Sequence, residues 1–374
     1  MTATLPNDKV SPLVLVQVLR ACAALLVLAG HTQGAVIAAA KARGEVLMPL
    51  VFPGGFGVDL FFCISGFIMV VSSRRLFESA GARSTFLARR AVRLIPLYWI
   101  ATLTLLPMLI YGHHRYAGDL KAALASSLFF LPYPTYGFEG DAVFPVHTLG
   151  WSLNYEVFFY LVFTIFIVLP MRRAVVGVCL AIVLIALLGA TWRPESTALR
   201  FWTQPIIVEF AFGVLAGGAW LRGFALNGWS AGSLTAISVV VLAWNPLGLA
   251  LAPGTTTTPN DWVRVASWGL PAAAILSAAV GYEQGRRLKS WALGLLERVG
   301  DSSYSLYLMH PFALIVIGKG WLALGLDRFM PWPVFTVTLA AASVCVGLLS
   351  YRWLEVPITR WFQHAFVPRL RVAP

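Results

Sequence analysis

The chain has 374 residues, of which 59% are apolar and only 12% charged, and its mean hydropathy is +0.77. Soluble globular chains carry about 25% charged residues, so a soluble enzyme built round one apolar core is excluded, as is an outer-membrane barrel, whose ~10-residue alternating segments are absent. The net charge of +12 would suggest nucleic acid or another anionic partner in a soluble protein. In a chain this apolar the placement of the cations matters more than their sum, and no nucleic-acid partner is expected.

The expected fold class is all-α: a polytopic integral membrane protein with about ten transmembrane helices and the lipid bilayer as its solvent. A spanning helix needs ~20 mostly apolar residues. Stretches of that kind run at roughly 12–31, 56–73, 94–111, 151–170, 174–191, 202–221, 234–252, 264–281, 303–323 and 333–351. Leu120 to Leu131 is too short to cross and is expected at the interface. Residues 1–11 form an N-terminal tail, 12–351 a single transmembrane domain with an arginine-rich loop at 74–93, and 352–374 a C-terminal tail. A cleaved signal peptide is disfavoured, because Arg20 interrupts the first apolar run. With the N-terminus inside, eighteen Lys and Arg residues fall on that side and nine on the other, so the positive-inside bias places both termini in the cytoplasm. The four cysteines each lie in an apolar stretch without metal-site or redox spacing. They read as small buried side chains, and no metal is expected.

Ionisable residues inside the bilayer cost ~2.5–3.5 kcal/mol each on insertion scales. Arg20 and His31 in the first stretch, Asp59 in the second, Glu156 in the fourth, Glu209 in the sixth and His310 in the ninth therefore each need a reason. Any one of them alone is as well read as a structural pair between helices; six in one bundle favour a site. Arg20 and His31 are eleven residues apart, which places them on one face with ~16 Å of rise between them. His31, Asp59 and Glu156 are expected at similar depth, where a carboxylate orients the imidazole for general-base work. His310 is expected nearer Arg20 than His31, as a hydrogen-bonded core histidine or a substrate contact. Tyr304 and Tyr307 read as packing or interface anchors, Trp151 as packing or a stack on a sugar ring at the outer mouth, and His113, His114 and His147 as solvated loop residues. Arg89, Arg90 and Arg93 either obey topology alone or cradle an anionic ligand, since arginine grips phosphate in a fork. An extended pantetheine arm is comparable in length to the Arg20–His31 separation, so coenzyme A held by these arginines would bring its thioester to His31.

Several motifs then occur in order: Arg20 and His31 with ten residues between them, Gly57-Val-Asp59, Ser65-Gly66, the Arg89/Arg90/Arg93 cluster, Trp151-Ser152 to Glu156 and Tyr160, Glu209 to Gly213, Tyr304-Ser305-Leu-Tyr307-Leu-Met-His310-Pro311, and Glu355-Val-Pro357. Over residues 13–360 this pattern resembles the membrane acyltransferase-3 family, which includes bacterial polysaccharide O-acetyltransferases, and within it the exopolysaccharide branch. The resemblance implies a multi-pass protein of the bacterial inner membrane that takes acetyl-CoA, or another acyl-CoA, as co-substrate. It implies a carbohydrate acceptor, free or lipid-linked, and polysaccharide-assembly proteins as further partners. It also implies His31 as the catalytic residue, donor binding by Arg20, Arg89, Arg90 and Arg93, and Glu156 as a site carboxylate; Asp59 joins these in the preferred mechanism, and Glu209 in a supporting role. His31 acts either as general base or as a transient acyl carrier. The rival from another class is a proton-coupled transporter or lipid-linked sugar flippase, which the buried ionisable residues suit but which shows no paired halves or interrupted helices in the sequence.

Overall fold

The computed structural model describes residues 13–48, 50, 52–111, 119–134, 143–249 and 260–366. His113, His114, residues 1–12 and residues 367–374 lie outside these. Among the described residues the chain is helical throughout, with no strand. In chain order the helices are α1 (Val14–Ala42), α2 (Phe56–Ser72), α3 (Ala82–Tyr111), α4 (Leu120–Leu128), α5 (Gly150–Phe166), α6 (Met171–Trp192), α7 (Thr197–Trp202), α8 (Val208–Trp220), α9 (Gly228–Trp244), α10 (Trp262–Glu283), α11 (Trp291–Asp301), α12 (Ser303–Ala323), α13 (Trp332–Ser350) and α14 (Val356–Phe366).

Six segments are long and apolar enough to cross a membrane: α1, α3, α6, α10, α12 and the run Trp332–Phe366. Their outer faces show why the sequence is so apolar. On α6, Leu180, Leu184, Leu187 and Leu188 follow helical spacing and are 49–65% exposed, a bare leucine stripe that water would penalise and lipid accepts. The shorter helices α2 and α9, seventeen residues each, reach about 26 Å, a few ångströms less than the hydrocarbon core.

Helix ends follow local chemistry. Asp119, Asn227 and Ser290 cap α4, α9 and α11 by accepting backbone N–H bonds from the first turn, which satisfies donors that have no intrahelical partner. Pro96 and Pro107 sit inside α3, a feature that membrane helices tolerate.

Five expectations change. The first helix continues to Ala42, so His31 stands near its middle and not near its end. Arg89, Arg90 and Arg93 lie on the opening turns of α3 and not in a loop. The residues after 351 are not a plain tail: a π-turn at Tyr351–Glu355 leads into α14. The helices are also interrupted, by a 3-10 turn at Pro205–Ile207 ahead of α8 and by a π-turn at Val265–Gly269 inside α10. The cysteines also divide, with Cys63 buried, Cys179 half-buried, and Cys22 and Cys345 exposed.

Two close approaches set the depth of the site. A Cβ on Gly57 would stand 2.3 Å from the Ala23 carbonyl oxygen, so α2 starts level with Ala23, about a third of the way along α1, and His31 overhangs it by about two turns. Lower down, α2 and α8 touch backbone to backbone. A Cβ on Gly66 would lie 2.1 Å from the Phe210 oxygen, and one on Gly213 would lie 1.9 Å from the Cys63 oxygen. This is the small-residue packing by which membrane helices approach without a hydrophobic drive.

Candidate active site

Between α1, α2, α3, α5 and α12 lies a pocket whose polar lining includes Arg20, Arg90, Arg93, Ser65, Glu156 and Tyr160. Arg90 and Arg93 are three apart on α3 and therefore share a face. Arg89 is turned away and does not line the pocket, so the expected cluster of four cations becomes three. Arg20 is 7% exposed and Arg90 9%. Arg20 donates from Nη1 to Gln17 Oε1 at 2.9 Å. Arg90 donates from Nη2 to Ser72 Oγ, and its Nε has no partner. Among the described residues no carboxylate comes within 4 Å of Arg20, Arg90 or Arg93, although Glu355, Asp301 and Glu156 all act on Arg20 electrostatically. Three guanidiniums thus face one lining carboxylate, and burying that excess positive charge is costly unless an anion completes it.

Glu156 belongs to this pocket and not to His31. Its Oε1 accepts from Ser65 Oγ at 3.0 Å and from the Tyr160 hydroxyl. Tyr304, expected as an interface anchor, lines the same space and donates from its hydroxyl to the Leu94 carbonyl at 2.6 Å. The far end of the pocket is closed by Phe61, Ser152 and Tyr307. Tyr307 is held there by its hydroxyl, 3.0 Å from the Leu149 carbonyl and 2.9 Å from Ser152 Oγ.

His31 is not a lining residue of this pocket but stands two rings beyond it. The Tyr307 ring meets that of His310 edge-on with centroids 6.5 Å apart, and His310 in turn lies 5.0 Å, centroid to centroid, from His31. His310 Nε2 and His31 Nδ1 are 3.1 Å apart, while His310 Nδ1 is 2.9 Å from the Leu306 carbonyl oxygen. The depth expected for His310 is therefore wrong. Helix periodicity assigns a residue to a face, but the vertical offset between α1 and α12 decides its neighbour. His147 is also misplaced by the sequence reading: it is 1% exposed, and its Nε2 donates to the Leu308 carbonyl at 3.0 Å.

Asp59 is likewise not the partner of His31. It is fully buried and takes a two-pronged bond from Arg264, Nε to Oδ1 at 2.9 Å and Nη2 to Oδ2 at 2.8 Å. Arg264 Nη1 also donates to Asn260 Oδ1, and its guanidinium stands 5.9 Å and 5.2 Å from the Trp151 and Trp268 ring centres. Trp151 is thus engaged inside the protein rather than stacked at an outer mouth. Asn260 and the Tyr155 hydroxyl both donate to Gln204 Oε1. Glu209 is buried against Gly269 of the π-turn with neither carboxylate oxygen hydrogen-bonded. Arg264 went unrecognised because it stands at the edge of an apolar stretch, where it counts as a loop cation. Its only sequence signal is the unpaired Asp59.

With this geometry in view, similarity to known proteins becomes informative. The acyltransferase domain of the acyltransferase-3 family matches residues 15–352. The chain belongs to that family. The exopolysaccharide production protein ExoZ of Rhizobium meliloti (strain 1021) is 32% identical over 82% of this chain and 90% of its own length. The acyltransferase MdmB of Streptomyces mycarofaciens is 24% identical over 91% and 90%. A putative O-acetyltransferase of Staphylococcus aureus (strain COL) is 25% identical over 82% of this chain and 53% of its own. No solved structure matches. The apolar helices, the arginine pocket and the histidine pair are accordingly features of a membrane acyltransferase.

Proposed function

We propose that this acyltransferase moves an acyl group, acetyl first among the candidates, from cytoplasmic acyl-CoA to a hydroxyl of an exported or cell-envelope polysaccharide or its lipid-linked precursor, in a bacterial inner membrane. The observation that supports this most strongly is the pocket of three guanidiniums with a single lining carboxylate. It suits a ligand bearing phosphates at one end, and it extends along α2 and α5 towards Tyr307 and, beyond it, the two histidines. The likeness to ExoZ favours an exopolysaccharide acceptor.

In this reading Arg20, Arg90 and Arg93 hold the phosphorylated end of coenzyme A, and Glu156, bonded to Ser65 and Tyr160, offsets part of their mutual repulsion. His31 is the general base. It takes the proton of the acceptor hydroxyl as that oxygen attacks the thioester carbonyl, and the departing thiolate then receives a proton to leave as coenzyme A thiol. Broken helices and buried charges also suit a transporter, but membership of an acyltransferase family favours group transfer.

The test uses membrane vesicles of the native host, with the chromosomal gene replaced by each variant. Label from radioactive acetyl-CoA should enter the vesicle glycan in the wild type. Arg90→Gln should raise the KM for acetyl-CoA by about 10-fold or more, since a charge-assisted hydrogen bond contributes roughly 1.5–3 kcal/mol, and it should leave the maximal rate within about threefold. An unchanged KM would remove the donor-binding role, and label-free glycan in the wild type would remove the proposed reaction.

A further inference from the structure

We infer that His310 is the positioning residue of the proposed base: through their 3.1 Å contact it holds His31 in the tautomer whose Nε2 is bare, so that Nε2, not Nδ1, receives the hydroxyl proton. The inference rests on the acyl-transfer reading above and adds to it which nitrogen works and what sets it.

The argument follows the hydrogens. His310 Nδ1 lies 2.9 Å from the carbonyl oxygen of Leu306, one turn back on its own helix. A carbonyl oxygen has no hydrogen to give, so Nδ1 is the donor and carries the ring's proton. In the neutral ring Nε2 is then a lone pair. The atom facing it is His31 Nδ1, which must therefore be the N–H of that bond, and a neutral His31 is left with its own lone pair at Nε2. The backbone of α12 thus sets the His310 ring and, through it, the hydrogen that His31 must present at Nδ1; the Val27 carbonyl one turn back on α1 also bonds the His31 ring.

His310 is 1% exposed. Tyr307, anchored by the Leu149 carbonyl and Ser152, packs against it edge-on, so neither swing nor flip of the ring is free. When His31 Nε2 accepts the proton of the hydroxyl, His31 becomes an imidazolium and its Nδ1–H bond to His310 becomes charge-assisted, hence shorter and stronger. Passing the Nδ1 proton to His310 Nε2 would spread the same single charge over two rings, with His310 Nδ1–H still held by Leu306. No proton is gained or lost by the pair until coenzyme A thiolate or water takes one away. A carboxylate orients the base histidine in many hydrolases. Here Asp59 is committed to Arg264 and Glu156 to Ser65 and Tyr160, and a neutral imidazole fills that place.

Two variants separate positioning from packing. His310→Gln puts an amide oxygen near the position of Nε2 and keeps an acceptor for His31 Nδ1–H, whereas His310→Phe keeps a ring without one. In the vesicle assay with acetyl-CoA, His310→Gln should hold the maximal rate within about 10-fold of wild type. His310→Phe should lose about 100-fold or more, within the range of general-base catalysis, and in both the KM for acetyl-CoA should stay within threefold. Independently of activity, the nitrogen spectrum of the full chain labelled with 15N-histidine in lipid bilayers should show His31 protonated at Nδ1 and bare at Nε2, in the wild type and in His310→Gln.

A wild-type His31 carrying its hydrogen on Nε2 overturns the inference, and so does full activity in His310→Phe. Equal losses of rate and melting temperature in the two variants also overturn it, since that is the mark of packing alone. If His310→Phe does not fold, the rate and spectrum of His310→Gln decide. Activity retained by His31→Ala would instead defeat the general-base role, and the wild-type spectrum would still test the tautomer.

Discussion

At the scale of the residue, buried charge sorts into two kinds. Arg264 and Asp59 satisfy each other in a bidentate pair flanked by indole rings, while Arg20 and Arg90 are also buried but have no carboxylate in contact. The first arrangement ties two helices together; the second leaves pocket guanidiniums without a contacting counter-charge. Breaking a buried pair from one side strands a charge and costs about 3–5 kcal/mol, whereas removing both partners is far milder. Asp59→Asn should therefore lower the melting temperature of the detergent-purified protein sharply. Combining it with Arg264→Gln should recover most of the loss. A double variant no better than the single would show that Arg264 is not held chiefly by Asp59. The six candidate ionisable residues were visible because bilayer physics makes each conspicuous. Their partners were not, because a carboxylate one helix away and a histidine one helix away leave the same trace along the chain.

At the scale of the element, the α2–α8 seam shows how the site keeps its dimensions. Ser65 and Asp59 ride on α2, and each must reach a different neighbour, Glu156 on α5 and Arg264 on α10. The Gly66 and Gly213 contacts fix the height of α2 to within a fraction of a turn. Gly213→Ala would drive a methyl into the Cys63 carbonyl and part the helices, at a cost of at least the ~1–3 kcal/mol of ordinary overpacking. Gly320→Ala, where nothing lies within 4 Å, should be silent. Thermal unfolding of the two variants in the same detergent checks both, and equal melting temperatures would remove the seam from the account. The turns at 205–207 and 265–269 were missed from sequence because apolar composition runs on across them. A backbone that pairs i to i+5 instead of i to i+4 is chosen by what packs beside it, here Glu209 against Gly269.

For the whole molecule, Gly57 on α2 stands level with Ala23 on α1, one turn beyond Arg20, and His31, in contact with His310, lies about two turns further along α1. That layout suits a donor entering from one side and an acceptor from the other. The positive-inside count predicts a cytoplasmic arginine end. A fluorescent protein fused after Pro374 should accordingly glow in cells, and alkaline phosphatase inserted after Arg193, at the far end of α6, should be active. Phosphatase activity only at the C-terminus would reverse the orientation.

The sequence alone determined the solvent, the helical class and the family pattern, because a bilayer demands ~20 apolar residues at a time and penalises each charge that breaks the run. It also determined that Arg20 and His31 share a face, because that follows from 3.6 residues per turn. Only the tertiary structure decided that His31 meets His310 rather than Asp59 or Glu156. Periodicity fixes direction about a helix axis, but the overhang of one helix past the next sets which side chains lie level, and that offset is settled by glycine contacts and cross-helix bonds between residues far apart in the chain.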